Sequence, residues 1–330
     1  MTAGGHHPHQ VVRLKLPIGS PLGASDENRA EEMNRKVDLL DQVPQEKKIF
    51  LDEVVDALCL IPGMVAVVLG GSYARGTYHP HSDLDVGLYY SETNPFSVAE
   101  IRRVAADFSA GQIPVVTDFY EWGPWVNGGA WIQTRVGKLD FLYRNLDQVQ
   151  RVIQEARKGI SRHDYDQQPT YGFRSVVYLA ETHICVPLYD PSAVIAQIKR
   201  DVAVYPQALK QNIIADSLWN SEFTLLFARN FASAGDVYNT AGCVTRIANY
   251  LIQALFALNE TYFINDKGAM EAIERLPTHP PNFSAGINRI LARPGETVEE
   301  LSESVRVLES IWQEVIKLAG SAYKSRYEIS

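Results

Sequence analysis

The first clear pattern of apolar and polar positions begins at Pro44. In "PQEKKIFLDEVVDALCLIPG" the residues Leu51, Val54, Val55 and Leu58 recur at helical spacing, with proline near the start and Pro62-Gly63 at the end. This predicts an amphipathic helix. "MVAVVLGG" follows, a short β-branched run closed by glycine, and predicts a buried strand. "SDLDVGLYY" predicts a second strand, and "NPFSVAEIRRVAADF" a helix with Phe96, Val104 and Phe108 among its apolar positions. "IPVVTDFYE" reads as a third strand, and "AWIQTRV" with "KLDFLYR" as a hairpin joined across Gly137. Asn145 is placed to cap a helix whose apolar positions Leu146, Val149, Val152, Ile153 and Ala156 follow the 3.6-residue period. The expected fold is an α/β (α+β) domain on a mixed sheet of about five strands.

Beyond Gly159 the character changes. "HDYDQQPTYG" reads as a linker, and after "PLYDPS" the pattern is helical with few strand signals. The clearest element there is "CVTRIANYLIQALFALNETYF", where Val244, Ile247, Leu251, Leu255, Leu258 and Tyr262 mark one stripe. The expected organisation is a disordered or extended tail over 1–36, an α/β domain over 37–160, and a mostly α-helical bundle domain over 161–330. A chain of 330 residues with 46% hydrophobic content is long enough for two cores.

Composition narrows the function classes. A net charge of −8 argues against an extended nucleic-acid surface, so any phosphate contact is expected to be local. Cys59, Cys185 and Cys243 lie far apart in odd number, which indicates neither a disulfide framework nor a zinc knuckle. No run approaches the roughly 18 uninterrupted apolar residues of a membrane helix, and the first residues lack the apolar core of a signal peptide. A cytoplasmic, soluble protein is the expectation. His6, His7 and His9 sit in a Gly/His/Pro-rich terminus and read as part of the tail rather than as metal ligands.

The chemistry concentrates in residues 69–87, "LGGSYARGTYHPHSDLDVG". Residues i and i+2 of a strand share a face, so Asp83 and Asp85 project together while Leu84 enters the core. Two carboxylates on one face suit a hard cation; magnesium takes one or two, with substrate phosphate oxygens and water completing its shell. Gly70, Gly71 and Ser72 let backbone amides approach a phosphate closely and add a hydroxyl donor. The stretch lacks the Lys-Ser/Thr of a Walker A loop and the glycine spacing of a dinucleotide fingerprint. A calcium loop counted from Asp83 would need Glu where Asn94 stands. His79 and His81 read as loop polar residues.

"GGSYARGTYHPHSDLDVG" resembles the signature of the DNA polymerase β-like nucleotidyltransferase superfamily, most closely the bacterial small-molecule and minimal nucleotidyltransferases. The resemblance implies that Gly71 and Ser72, with Gly70, hold the β and γ phosphates of ATP or another nucleoside triphosphate, and that Ser82 also touches phosphate. It implies that Asp83 and Asp85 bind two Mg²⁺ ions. It further implies a third carboxylate on a neighbouring strand, ligating metal on the side of the attacking hydroxyl and able to act as a base. Asp140 in "GKLDFLYR" is preferred over Asp118 and Glu121, because Leu139 and Phe141 flank it; the plainer reading pairs Asp140 with Lys138, Arg135 or Arg144. Arg75, Lys267 and Tyr238 are the expected triphosphate contacts, Arg75 being equally suited to pairing with an acidic neighbour.

The implied reaction joins a nucleoside monophosphate, AMP from ATP, to a hydroxyl and releases pyrophosphate. The nearest functional analogues modify aminoglycosides and lincosamides, so a small-molecule hydroxyl acceptor is expected. Two other readings stand beside it: AMPylation of a protein or RNA partner, and a non-catalytic nucleotide-binding sensor. The sensor becomes the reading if Asp140 and Asp118 both lie more than about 8 Å from the aspartate pair, too far to share a metal. Trp122, Trp125 and Trp131 form a tryptophan-rich loop, suited either to stacking a ring or to packing on the helical domain. The sequence leaves the oligomeric state and the nucleobase open.

Overall fold

The computed structural model describes residues 43–327; the expected tail over 1–36 and its three histidines lie outside them. The first helix, α1 (Gln45–Cys59), buries Phe50, Leu51, Val54 and Leu58, the stripe its spacing predicts. It leads into β1 (Ala66–Leu69), buried at every position, a one-turn helix α2 (Gly71–Arg75) and β2 (Leu84–Tyr90). Helix α3 (Val98–Asp107) and the strands β3 (Val115–Val116), β4 (Gly129–Thr134) and β5 (Gly137–Asn145) follow. β4 and β5 pair antiparallel from Gly129 opposite Leu142 to Thr134 opposite Gly137, the expected hairpin. The third strand is shorter than its apolar run suggests. After Val116 the chain turns, the Glu121 carboxylate accepting from the Asp118 amide at 2.9 Å while Tyr120 adopts a positive φ of 59°.

The Asn145 side chain caps α4 (Leu146–Arg157), accepting from the Gln148 amide at 3.2 Å. The expected linker holds a two-residue ladder, β6 (His163–Asp164) against β7 (Phe173–Arg174). Then come α5 (Val176–Ile184), β8 (Val186–Tyr189) and α6 (Val194–Val202). The remaining helices are α7 (Gln207–Ser233), α8 (Val237–Leu258), α9 (Ala269–Ile273), α10 (Phe283–Ala292) and α11 (Val298–Ala319). Helix α8 carries the predicted stripe and is long and apolar enough to cross a membrane, but 61% of its most apolar window is buried inside the fold.

The sheet has six strands in the order β3-β4-β5-β2-β1-β8, with β2 and β5 parallel and the other neighbours antiparallel. The strand beyond the expected five is β8, which returns from the helical half of the sequence to pair with β1. One face of the sheet presents Leu84, Val86 and Leu88 of β2 beside Leu139, Phe141 and Tyr143 of β5, all fully buried. On the other face, Ala66, Val68 and Tyr89 join a continuous apolar core with α4, α5 and the long helices through Trp312 of α11. The helices thus roof one end of this face. Its other end, at the start of β2 and β5, carries the charged groups.

Candidate functional site

The pleat of β2 puts Asp85 on the partly roofed face, with Leu84 fully buried on the other. Asp83, two residues earlier, adjoins the start of the strand. Parallel pairing then aligns Asp85 with Asp140 as direct register partners, just as it aligns Leu84 with Leu139 behind them. Neighbouring strands run about 4.8 Å apart, so the two carboxylates share one small patch of surface. On the far side of Asp140 the register partner is Trp131 of β4. Pairing between strands 55 positions apart thus assembles what the local motif holds only in part.

The glycine turn closes over this patch. Gly70 donates its amide to the Asp85 carbonyl at 2.8 Å. Gly71 has a φ of +58°, in the left-handed region, and a Cβ built there would lie 1.8 Å from Asp85 Oδ2. Only glycine satisfies both constraints. Ser72 follows in α2, half-buried. Ser82 is buried and its hydroxyl accepts from the His79 amide at 2.9 Å, shaping the loop that delivers the aspartates. Lys47 of α1, a residue that sequence reasoning missed, reaches through to that loop: its ammonium donates to the Ser82 carbonyl at 2.7 Å and lies 5.2 Å from the centre of the Tyr73 ring.

The electrostatics mark the patch as short of positive charge. Burial, then Asp83, then Glu181 push the Asp85 carboxyl up to about 6, against the opposing pull of Arg75 and Lys267. Burial, then Asp85 and Asp83, push Asp140 to about 6 as well, with Lys138 opposing. The other two cations considered for Asp140 are engaged elsewhere: Arg144 forks onto Glu181 with two contacts of 2.8 Å, and Arg135 meets Glu53 at 2.6 Å. Asp118 is exposed and bridges Arg102 at 2.7 Å. Lys267, from the loop between α8 and α9, comes within electrostatic reach of Asp85, whereas Tyr238 is 86% exposed on the first turn of α8. Among the described residues no group of three or more His, Cys, Asp or Glu side chains is drawn together closely enough to hold a metal ion unaided. The carboxylates form an open set, the kind magnesium completes with substrate oxygens.

A cavity adjoins Asp85, lined by Gly70, Gly71, Gly87, Arg144 and Glu181 among others. Glu181 had no signal in the sequence beyond a charge within the apolar helix "VVYLAETHI", and its role comes from the fold: it anchors Arg144 and adds negative potential at Asp85. The tryptophans divide. Trp125 packs inward, stacked on Phe173 with ring centres 5.3 Å apart, and its carbonyl accepts from the Tyr178 hydroxyl at 2.6 Å. Trp122 and Trp131 stack on each other beside Asp140, with centres 4.2 Å apart and planes 26° from parallel.

Two family models match parts of the chain. Residues 51–126 match the nucleotidyltransferase domain family, a stretch that holds the glycine turn and both Asp83 and Asp85 and ends before Asp140. Residues 176–267 match a domain of unknown function, DUF4037, which spans α5 through Lys267. No curated protein matches the chain. The structure is similar to that of a nucleotidyltransferase-like protein from Exiguobacterium sibiricum 255-15, at 9% identity and a TM-score of 0.42, over 81% of this chain and 74% of that one. At that distance the likeness bears no functional weight.

Proposed function

We propose, from the premise that residues 51–126 carry a nucleotidyltransferase domain of the polymerase β-like superfamily, that the protein transfers AMP from ATP to a hydroxyl of a small molecule with magnesium. The observation that carries the reading is the register of Asp85 with Asp140 under the Gly70-Gly71 turn. It favours catalysis over a sensor, because the third carboxylate adjoins the pair.

The residues fit a divalent cation. Asp85 and Asp140 are oxygen donors held together against their mutual repulsion, which Arg75, Lys267 and Lys138 offset only in part. Asp83, Asp85 and Asp140 would hold the metal, and magnesium bound there supplies orientation of the attacking hydroxyl and charge neutralisation at the leaving pyrophosphate. Gly70, Gly71 and Ser72 cradle the β and γ phosphates, and Ser82 fixes the approach of the loop. Arg75 and Lys267, which act on Asp85, face the triphosphate charge, and the exposed Tyr238 is given no part in it.

Asp140 takes the proton. The acceptor oxygen bonds to the α-phosphorus, the bond from that phosphorus to the β-phosphate oxygen breaks, and pyrophosphate carries the electron pair away. The proton passes to a carboxylate oxygen of Asp140, which stands in register beside Asp85 on the side assigned to the attacking hydroxyl. Positioning and charge supply most of the acceleration.

The test is incubation of the protein with magnesium and α-labelled ATP in a cell lysate separated into protein, RNA and small-molecule fractions. Label in the small-molecule fraction is the expected result. Label confined to protein or RNA transfers the reading to AMPylation of a macromolecule, and nucleotide binding without label transfer moves it to a sensor.

A further inference from the structure

We propose that the Trp122–Trp131 stack is the acceptor platform of this enzyme, and that its ligand is a small molecule carrying the reacting hydroxyl on a ring. The inference rests on the transferase reading above and adds a site to it. The order of groups across the sheet points to this site. The glycine turn leaves β1, Asp85 stands on β2, Asp140 on β5 and Trp131 on β4, and these strands are consecutive neighbours. In-line displacement requires the entering oxygen and the departing pyrophosphate on opposite sides of the α-phosphorus. With the phosphates at the β1 turn, the acceptor must come from the β5 and β4 side. That side is lined by Asp140 and then by indole.

The platform is also built in advance. Trp122 stays 46% exposed while Trp131 supports it from beneath, so a broad aromatic face meets solvent beside a carboxylate. The loop is pinned at several points. The Gln167 side-chain amide donates to the Trp122 carbonyl, and its oxygen accepts from the Trp125 amide at 3.2 Å. Asn127 donates to Gln148 at 2.9 Å and accepts from the Asn145 amide at 2.8 Å. Trp125 is the partly buried anchor of this loop, packed on Phe173 and Tyr178, which leaves the outer face of the Trp122–Trp131 stack available for a ligand. A flat or chair-shaped ring laid on an indole keeps its hydroxyls at the rim, where one can turn to Asp140.

The experiment uses the full chain with magnesium and α-labelled ATP. The acceptors are glucosamine, adenosine, glycerol as an open-chain control, and the small-molecule pool of a lysate. Wild type is compared with Trp122→Ala and Trp122→Phe, and the stabilisation of each by magnesium and ATP is followed by thermal unfolding. The expected result is that a ring acceptor is labelled in preference to glycerol. Trp122→Ala then raises its half-saturating concentration by roughly tenfold, with Trp122→Phe recovering most of the loss and the nucleotide-dependent stabilisation unchanged. An unchanged half-saturation in Trp122→Ala, or equal labelling of glycerol, overturns the platform and leaves the transferase reading intact. Loss of nucleotide-dependent stabilisation in Trp122→Ala also overturns it, assigning the stack to ATP. Absence of label transfer by wild type to any acceptor overturns the transferase reading and the platform with it.

Discussion

The two faces of β2 and β5 are one residue apart in sequence and opposite in purpose. Behind the sheet, Leu84 and Leu139 pair in register and are wholly buried. In front, Asp85 and Asp140 pair in the same register and repel each other in a half-buried patch. The back face stabilises the protein; the front face costs stability and holds two carboxylates at a spacing that their own repulsion opposes. Because both pairs depend on the same hydrogen bonds, the apolar face serves as the clamp that keeps two like charges together. Stability and site are set by one strand pairing.

The largest way to break that arrangement is from behind. Leu139→Ala removes a fully buried side chain and is expected to cost about 2–5 kcal/mol, read as a fall in the denaturant midpoint at constant slope. Next comes Gly71→Ala, which drives a methyl group into the Asp85 carboxylate and strains a positive φ. Transfer activity should fall by about 100-fold or more while the protein still folds cooperatively, a result that separates site geometry from clamp. Smallest is the pH effect of neutralising the front face. The folded Asp85 titrates near 6 against an ordinary value of 3.8, so the stability it permits is fully present below about pH 4 and is lost as pH rises through 6. Asp85→Asn escapes that loss. In a chelated buffer it should unfold higher than wild type at pH 7.5, by on the order of 2 °C, with the advantage gone at pH 4.

The local parts of this picture were legible in the sequence. The glycine turn, the Asp83/Asp85 spacing, the β4–β5 hairpin and the Asn145 cap each depend on residues a few positions apart, and the period of the pattern specifies them. What required the fold was register. Asp140 lies 55 residues from Asp85 in sequence, and its place beside that residue comes from parallel pairing that no local pattern states. Strand β8 was hidden because "VPLY" is four residues long and contains Pro187, which belongs at a sheet edge and weakens a strand signal. Glu181 and Lys47 were hidden for another reason. Each is a single charge on a helix, which usually means a solvated position, and here each turns inward to a partner from a distant segment. The tryptophan loop offered two uses, and the fold gives Trp125 to packing while leaving Trp122 and Trp131 stacked at the rim.

The central claim is that Asp83 and Asp85 make this face a magnesium-dependent nucleotide-transfer site. It is tested most directly by measuring pyrophosphate release from ATP, with and without magnesium and in the presence of the small-molecule pool, for wild type, Asp83→Ala and Asp85→Ala. The account predicts magnesium-dependent release by wild type and its loss to background in both variants, each still folded by circular dichroism. Magnesium-dependent release that persists in both variants would contradict it.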